Sequence, residues 1–507
     1  MAMLTTKKLI PVDITLDGVY RGKDPFLSEI TGEFAGPGGK TLIIPGFYRG
    51  NGKWSVRFSA EEEGKWNYHI SSGEVALGGD TAGSIKVEGE EPGATRILRT
   101  SGTRFVTSDG KSVFLLGYEC NFLFSLLASP DGFAKLQKFV SNIKEAGFNQ
   151  VQINTYAVDT EWHKGKTCEN DFGPAYIDLW EKTEDGRRFN PAFFENFDWL
   201  ISYLHVNGIY AHIYLRVYNK FVEWPENYSE EDYAFYRLFT ARYQAFPNVI
   251  WNISKEGYFE PDKEYFHTML GRVRAWDAYK HLCTVHDDLQ YALDEKYSDT
   301  IDFLTLQQHY DWQHAHLYYI EKSGKPVFGG ETGVESPHTD RFRRYPAERV
   351  CAIAYEIIMA GAYYQYYYTD SAWDIIEYDY KPKGYEYIKR MTAFFSRFDL
   401  NRFKAVPHLC VWSGLCLDDG ESTMLVYTEP KEHIPNYINK EGCTLINPNN
   451  GRKFISCEAF GVYSGKTENY IPSHGFQART DNSLFKDIDI YFSYPDEPTV
   501  FVIRYEK

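Results

Sequence analysis

The sequence predicts a multidomain protein in which a central (β/α)8 barrel lies between two β-rich domains. Its 507 residues are enough for about three domains of ordinary size. From about residue 96 to 400, strand-like and helix-like patterns alternate, which is typical of a parallel barrel. Both flanks contain short alternating apolar runs between glycine-rich turns, a pattern that favours β-sandwiches.

Residues 1–95 are predicted to form an immunoglobulin-like β-sandwich. The expected strands are Val12–Leu16, Leu42–Tyr48, Lys53–Phe58 and Trp66–Ile70. Residues 54–70, W-S-V-R-F-S-A-E-E-E-G-K-W-N-Y-H-I, are interpreted as a hairpin with aromatic cross-strand pairs. The glycine- and proline-containing segment G-E-E-P-G-A-T, residues 89–95, is the predicted linker to the barrel.

Eight strand–helix units are predicted for the barrel domain, residues 96–400. The expected strands are Ser112–Tyr118, Phe148–Thr155, Ile209–Arg216, Val249–Glu256, Leu282–Asp287, Phe303–Tyr310, Pro326–Gly330 and Ala362–Tyr368. The expected helices are Phe133–Ala146, Pro191–Asn207, Glu230–Gln244, Pro261–Lys280, Trp312–Lys322, Pro346–Met359 and Tyr385–Phe398. A doubly wound open sheet is the alternative, but the first strand is not followed by a glycine-rich phosphate loop.

Residues 401–507 return to β patterns and predict a second β-sandwich packed on the barrel. The clearest strands are Val406–Trp412, Thr423–Thr428, Gly442–Ile446 and Thr499–Tyr505.

Charge and composition restrict the partners. The formal net charge of −16 argues against nucleic acid, whose binding proteins carry a basic face. No apolar run is long enough for a membrane span, and the N-terminus has no signal-peptide core. Eight cysteines without a C-x-x-C pair indicate reduced thiols, so we expect a cytoplasmic protein. Aromatic residues make up 17% of the chain, which suits both sugar stacking and β-rich cores.

Reactive groups of a (β/α)8 barrel lie at the C-terminal ends of its strands. The side chains predicted there are polar or aromatic: Glu119, Asn121, Asn154, Tyr156, Arg216, Tyr218, Glu256, His286, Asp287, His309, Tyr310, Glu331, Asp370 and Trp373. Glu256 ends V-I-W-N-I-S-K-E on the fourth strand, and Glu331 lies in P-V-F-G-G-E-T-G on the seventh. Two carboxylates facing each other across a barrel mouth can cleave a glycosidic bond.

These motifs resemble the large clan of (β/α)8 retaining glycoside hydrolases. More narrowly, the chain resembles bacterial proteins with a DUF5060-like N-terminal domain, a DUF4038- or cellulase-like barrel and a DUF5605-like C-terminal domain. The resemblance is carried by W-S-V-R-F…G-K-W-N-Y, F-V-T-S-D-G-K-S-V-F-L-L-G, V-I-W-N-I-S-K-E-G-Y and K-P-V-F-G-G-E-T-G. It implies that Glu256 is the acid/base and Glu331 the nucleophile.

The same resemblance suggests further substrate-site residues. A tyrosine at the end of strand six holds the nucleophile in many of these enzymes, which makes Tyr310, after His309, the candidate. Arg216 is expected either to add positive charge to this cluster or to form an ordinary loop ion pair. His286, with Asp287 and Asp288, is interpreted as a substrate hydrogen-bonding group.

Lys255 departs from the clan, which commonly has asparagine immediately before the strand-four acid. Either Lys255 makes a different sugar contact, or it points away and Asn252 or Asn154 substitutes. A lysine here could favour an anionic sugar ring, and a solvated lysine is an equal alternative.

Several loop aromatics, Trp373, Trp162, Tyr156 and Trp312, are candidates for stacking on sugar, with core packing as the alternative. Glu119 at the end of the first strand completes the predicted substrate site. No cofactor and no metal ion are expected, since His314 and His316 are assigned to a helix.

The sequence therefore predicts a retaining glycoside hydrolase that acts on short oligosaccharides or glycosides, in an exo manner. Two alternatives stay open: a non-catalytic carbohydrate-binding protein and a transglycosylase that uses the same carboxylates. The expected partner is a carbohydrate, with no nucleic acid and no membrane. The oligomeric state is open, a homo-oligomer included.

Overall fold

The computed structural model describes most of the chain. The described residues are 3–156, 177–184, 186–218, 222–339, 343–368, 377–412, 414–429, 442–445, 452–472, 488–491, 494 and 496–506.

Residues 3–90 form two sheets. Their strands are β1 (Leu4–Lys8), β2 (Val12–Tyr20), β3 (Thr31–Ala35), β4 (Thr41–Pro45), β5 (Phe47–Gly50), β6 (Lys53–Phe58), β7 (Gly64–Ser71), β8 (Val75–Leu77) and β9 (Ala82–Glu90). One sheet has the order β1-β9-β7-β3-β4, and the other β5-β6-β2-β8. Both contribute to one buried apolar cluster. A shared core supports the predicted β-sandwich, and the immunoglobulin-like connectivity stays a prediction.

The hairpin predicted for residues 54–70 is wrong. β6 pairs with β2 and β5, whereas β7 pairs with β3 and β9 in the other sheet. The aromatic contacts form across the core instead: the Phe58 ring lies 5.2 Å from that of Trp66 and 4.5 Å from that of Phe34. Apolar and polar residues alternate in both runs because each strand buries one face. Strands in two facing sheets bury one face just as the strands of a hairpin do, so the pattern does not distinguish the two arrangements.

The middle of the chain forms the predicted barrel. Its parallel strands are β12 (Leu116–Glu119), β13 (Gln150–Asn154), β16 (Tyr210–Val217), β17 (Val249–Lys255), β18 (Cys283–Thr284), β19 (Leu304–Gln307), β20 (Val327–Glu331) and β23 (Tyr363–Tyr366). The eight-stranded sheet has the order β18-β17-β16-β13-β12-β23-β20-β19. A parallel bridge between His286 and Thr305 joins its two edges. Strand order and connectivity are therefore those of a (β/α)8 barrel.

Helices of this region follow the predicted pattern within a few residues. They are α1 (Gly132–Ala146), α2 (Pro191–Val206), α3 (Glu230–Tyr243), α4 (Lys263–Trp276), α5 (Leu289–Leu293), α6 (Trp312–Ser323), α7 (Ala347–Met359) and α8 (Gly384–Phe395). The end of α1 was predicted from Gly147, whose backbone is left-handed (φ 104°) and donates to the Ile143 carbonyl. The short helix α5 was not predicted.

Three short strand pairs lie outside the barrel sheet among the described residues. Their strands are β10 (Leu98–Ser101), β11 (Arg104–Thr107), β14 (Trp180–Thr183), β15 (Gly186–Phe189), β21 (Val334–Glu335) and β22 (Arg344–Tyr345), the last two pairing in parallel. The β10–β11 hairpin covers the N-terminal ends of the barrel strands. There the Phe105 ring lies 4.6 Å from Tyr363 and 5.2 Å from Phe303. This end is filled with apolar side chains, which leaves the opposite end for chemistry.

The C-terminal strands are β24 (Lys404–Ala405), β25 (Cys410–Trp412), β26 (Gly414–Asp418), β27 (Thr423–Thr428), β28 (Gly442–Leu445), β29 (Phe454–Gly461), β30 (Thr467–Tyr470), β31 (Ile488–Tyr491) and β32 (Thr499–Tyr505). They form sheets of order β24-β26-β27-β32-β29-β30 and β25-β28-β31. The larger sheet packs on barrel helices: Phe460 stacks on Phe394 of α8 at 4.4 Å, and Tyr427 on Tyr355 of α7 at 5.9 Å. The domain boundaries at 95/96 and 400/401 stay predictions.

Free cysteines occur throughout the described residues, where Cys120, Cys283, Cys351, Cys410, Cys416 and Cys457 form no disulfide. Over the same part of the chain, no helix combines the length and apolarity needed to cross a membrane.

A buried ion-pair network joins the N-terminal sheets to the barrel. Arg57 of β6 donates to both oxygens of Asp13 (2.7 and 3.0 Å) and of Asp198 in α2 (2.8 and 3.0 Å). Arg242 of α3 donates to the same Asp198 carboxylate at 2.8 and 2.9 Å. Burial alone would raise the pKa of Asp198, but Arg242 and Arg57 lower it well below its ordinary value.

We expect Asp198→Ala to lower the free energy of unfolding by about 3–5 kcal/mol at pH 7, because it leaves two arginines unpaired and buried. The depressed pKa means that this stabilisation is complete above the ordinary aspartate pKa of about 4 and is lost as the pH falls further. Urea unfolding at pH 7 and below pH 4 measures both effects.

Asp17→Ala is the matched control, because Asp17 pairs with Lys53 while its side chain is 80% exposed. Its expected cost is below about 1 kcal/mol. An equally small cost for Asp198→Ala would contradict the assigned role of the network.

Candidate active site

Glu256 and Glu331 lie at the C-terminal mouth of the barrel. Glu256 directly follows β17, the fourth barrel strand, and Glu331 is the last residue of β20, the seventh. Glu256 is 6% exposed, and the Glu331 side chain is 11% exposed. Both carboxylates therefore lie inside the mouth rather than on the outer surface.

The charges of Glu256 and Glu331 shift the pKa values of one and the same set of side chains. Its members are Tyr214, Lys255, Tyr258, Asp287 and Tyr367. Burial has the largest effect on the pKa of each, and the charges of Glu256 and Glu331 act on all of them in the raising direction. The two carboxylates therefore act on the same side chains, although they are 75 residues apart in the chain (331 − 256).

The backbone at Glu256 is left-handed, with φ 52° and ψ 52°. Its N–H donates to His286 Nδ1 at 3.2 Å, and the Tyr258 hydroxyl donates to its Oε2 at 3.0 Å. Since Nδ1 of His286 accepts, the ring proton is on Nε2. That atom is buried without a partner among the described residues. Burial holds the pKa of His286 well below its usual range, so the ring is neutral and offers one donor.

Lys255 lies between two carboxylates of the mouth. Its Nζ is paired with Glu119 Oε1 and lies 3.6 Å from Glu331 Oε2. Burial alone would lower the pKa of Lys255, but Glu119 and Glu331 raise it above its ordinary value. The lysine is therefore a buried cation held by acidic neighbours, and it does not point away to solvent.

Glu119 is fully buried at the end of β12. It accepts from Asn121 Nδ2 at 3.0 Å and from Gln365 Nε2 at 3.2 Å, in addition to Lys255. Burial raises its pKa above the ordinary glutamate value, an effect that Lys255 opposes and Glu331 reinforces. Asp287, with φ 53°, is a second carboxyl with a raised pKa, which burial first and then Glu331 and Glu256 bring to about 7.

Residues 100–413 match the family model described as "Apiosidase-like, catalytic domain". The chain belongs to the apiosidase-like family. Residues 5–73 match a domain of unknown function, DUF5060, as the sequence predicted. Among curated proteins, no relative matches the chain.

Solved structures share the fold of this apiosidase-like protein. A putative glycoside hydrolase from Bacteroides vulgatus ATCC 8482 is 18% identical, with a TM-score of 0.73, over 99% of this chain and 100% of that chain. A glycoside hydrolase family 5 protein from the same strain is 16% identical, with a TM-score of 0.57, over 80% of this chain and 93% of that one. At such identities the likeness establishes the fold, while the family match supports glycosidase activity.

Two predicted site residues of the apiosidase-like domain lie away from the carboxylate pair. Arg216 is 2% exposed and pairs with Asp232 of α3 at 2.5 Å, also donating to the Pro225 carbonyl. Of the two alternatives for Arg216, the structure therefore shows the ordinary ion pair. The cation that lies beside Glu331 is Lys255. Tyr310 is 76% exposed, and among the described residues it donates no hydrogen bond to Glu331.

Other predicted residues surround the mouth. His309 is half-buried near Glu331; burial lowers its pKa to about 4 and Glu331 opposes this. Asn154 is buried at the end of β13, and its Oδ1 has no described partner. Asn252 lies below the mouth and contacts His212 at 3.0 Å. Tyr156 is 1% exposed and packs edge-on against Phe122 and Trp224, as in a core.

The proposed stacking aromatics give a mixed result. Trp312 is 7% exposed, and its indole N–H donates to the carbonyls of Gln308 and Thr332, which is core packing. Trp162, Asp370 and Trp373 lie outside the described residues.

Sequence reasoning missed Tyr214 and Tyr367 at this site. Both are almost fully buried, and the charges of Glu119, Glu331 and Glu256 raise the pKa of each hydroxyl. They occur within apolar strand runs, which gave no signal to separate them from core tyrosines.

Because the backbone of Glu256 is left-handed, glycine is expected to be more stable than alanine at this position, the reverse of the usual order. We expect Glu256→Gly to be more stable than Glu256→Ala by about 1 kcal/mol, because only glycine adopts φ 52° without steric cost. Thermal and urea unfolding of the two variants measure the difference.

Lys389, an exposed residue inside α8, is the control for this pair. There Ala should be more stable than Gly by about 1 kcal/mol. The same sign at both positions would contradict the strain assigned to Glu256.

Proposed function

We propose that this protein is a retaining glycoside hydrolase, with Glu331 as nucleophile and Glu256 as acid/base. The observation that carries the proposal is the placement of the two carboxylates at the mouth, after strands four and seven, where both act on one set of side chains. Membership of the apiosidase-like family supports the reaction class.

The first step would be displacement of the leaving group. Glu331 attacks the anomeric carbon while the Glu256 carboxylic acid gives its proton to the glycosidic oxygen, so a glycosyl ester forms and the aglycone leaves as an alcohol. In the second step the Glu256 carboxylate takes a proton from water. The resulting hydroxyl attacks the anomeric carbon and releases Glu331 as carboxylate, with net retention of configuration.

Charges around the two groups support this division of roles. The Lys255 ammonium lies 3.6 Å from Glu331, which places a positive charge beside the proposed nucleophile. Glu256 and Glu331 both act on the carboxyl of Asp287, so the described groups near the proposed acid include other carboxyls. Tyr258, which donates to Glu256 at 3.0 Å, can hold the carboxyl in place during both steps.

For the substrate, we infer a short oligosaccharide or glycoside attacked from its end. The family description names apiosidase activity, so an aryl apiofuranoside is the first substrate to test, beside other furanosides and pyranosides. The exo mode rests on the cytoplasmic location expected from the sequence.

We expect Glu331→Ala and Glu256→Ala each to lower kcat by about 10³-fold or more on an unactivated glycoside. Azide should rescue Glu331→Ala with a glycosyl azide of inverted configuration, and Glu256→Ala with one of retained configuration, because azide replaces a different group in each. Proton NMR of the products reads both results.

Isosteric Glu331→Gln and Glu256→Gln variants with unchanged melting temperatures are the folding controls. Lost turnover with retained sugar binding in Glu331→Ala would support the enzyme. Near-normal rates in either alanine variant would remove that residue from its role, and an inverted wild-type product would exclude the retaining mechanism.

A further inference from the structure

We propose that Lys255 and Glu119 form a buried positioning pair that acts through Glu331: Lys255 sets a positive charge beside the nucleophile and holds it in place, and Glu119 holds Lys255. This inference rests on the proposed function of Glu331. It makes Lys255 neither a solvated surface lysine nor a ligand for an anionic sugar.

The geometry leaves Lys255 little freedom. Its side chain is 6% exposed, and its ammonium contacts Glu119 on one side while Glu331 Oε2 lies 3.6 Å away on another. The Tyr214 ring covers the ammonium at 5.6 Å from its centroid. A lysine in water would sample many rotamers, and burial between two carboxylates fixes it in one place.

Glu119 is itself fixed from three directions, by Asn121, Gln365 and Lys255. It ends strand one, Lys255 ends strand four and Glu331 ends strand seven. The pair therefore connects three strands across the mouth. Moving Lys255 away from Glu331 would require breaking its contact with a fully buried carboxylate, which is costly.

Glu331 Oε2 has no hydrogen-bond donor among the described residues, although it is buried. Its nearest described cation is Lys255, at a distance where the attraction is electrostatic and leaves the oxygen lone pairs unused. Because no described hydrogen-bond donor occupies its lone pairs, Glu331 Oε2 is suited to attack the anomeric carbon of a sugar.

Charge at the mouth also restricts the substrate. Lys255 pairs with Glu119, lies 3.6 Å from Glu331 and is also acted on by the charge of Glu256. Its single positive charge is shared among these groups, so it has none to offer an anionic ring. We therefore infer that the sugar bound at Glu331 is neutral, and that a uronic acid is rejected by like charge.

Other titratable groups surround this pair and affect any pH profile. Those facing Lys255 and Glu331 are Glu119, Tyr214, Glu256, Tyr258, His286, Asp287, His309 and Tyr367. A test therefore compares two variants that are expected to shift the acidic limb of the kcat/KM profile in opposite directions, rather than relying on the pH profile of one variant.

Lys255→Met and Glu119→Gln provide that comparison in the full-length protein. Lys255→Met removes the cation beside Glu331, and the acidic limb of kcat/KM should move to higher pH by about 1–3 units. Glu119→Gln removes a competing carboxylate and should move that limb the other way, to lower pH. A merely structural role would lower the rate without moving the limb in opposite directions.

Lys263→Met is the matched control, since Lys263 pairs with Asp288 at 2.5 Å and has no described contact with Glu331. Its acidic limb should stay in place. The double variant Glu119→Gln/Lys255→Met removes both charges of the pair, and it should fold even if Lys255→Met alone does not. Its acidic limb should lie above that of Glu119→Gln.

A second measurement does not depend on turnover. In protein with ¹³C-labelled glutamate, the Glu119 carboxyl signal, assigned with Glu119→Gln, should titrate at higher pH in Lys255→Met than in the wild type, because that substitution removes its ammonium partner. If no glycoside is hydrolysed by the wild type, the proposed function fails, and this titration still decides whether the pair exists.

Substrate choice tests the inference on ring charge. Activity on aryl glycosides of neutral sugars should exceed that on 4-nitrophenyl glucuronide by at least about tenfold. Faster turnover of the glucuronide, or acidic limbs that move in the same direction in Lys255→Met and Glu119→Gln, would overturn the proposal.

Discussion

The contact of one buried ammonium with buried carboxylates sets the electrostatics of this barrel mouth. Acidic side chains lie where strands one, four, five and seven end, and Lys255 pairs with Glu119 while lying 3.6 Å from Glu331. Without a cation such a group would remain neutral, because like charges in a buried site cannot all ionise. Burial first, and neighbouring carboxylates second, raise the pKa of Glu119 above its ordinary value and that of Asp287 to about 7.

Backbone strain accompanies the crowding. Glu256, directly after β17, and Asp287, three residues after β18, both adopt left-handed conformations, at φ 52° and 53°. Residues other than glycine seldom adopt this geometry, and where they do the surrounding structure compensates for the cost. Here the compensation includes the Glu256 contact with His286 and the Asp287 contact with the Gln307 N–H at 3.1 Å.

The remainder of the molecule supports this mouth. Aromatic packing around Phe105 fills the opposite end of the barrel, and below the carboxylates the interior is polar, with Gln150, His212 and Asn252 joined by hydrogen bonds. The Arg57–Asp198–Arg242 network fixes the N-terminal sheets to the helices α2 and α3. A rigid scaffold is what two-carboxylate chemistry needs, since small displacements of the reacting groups are costly in rate.

By itself, the sequence determined the order of elements, because apolar periodicity and glycine or asparagine caps are local signals. The barrel strands, most helix ends and the positions of Glu256 and Glu331 after strands four and seven follow from such signals. It could not determine which polar side chains meet. Arg216 and Tyr310 had the right residue types at strand ends, but Arg216 turns to Asp232 and Tyr310 to solvent. Only the tertiary structure decided whether β6 pairs with β7 or faces it across the core. It also decided whether Lys255 lies in water or between Glu119 and Glu331. Both outcomes depend on contacts between residues that are distant in the chain.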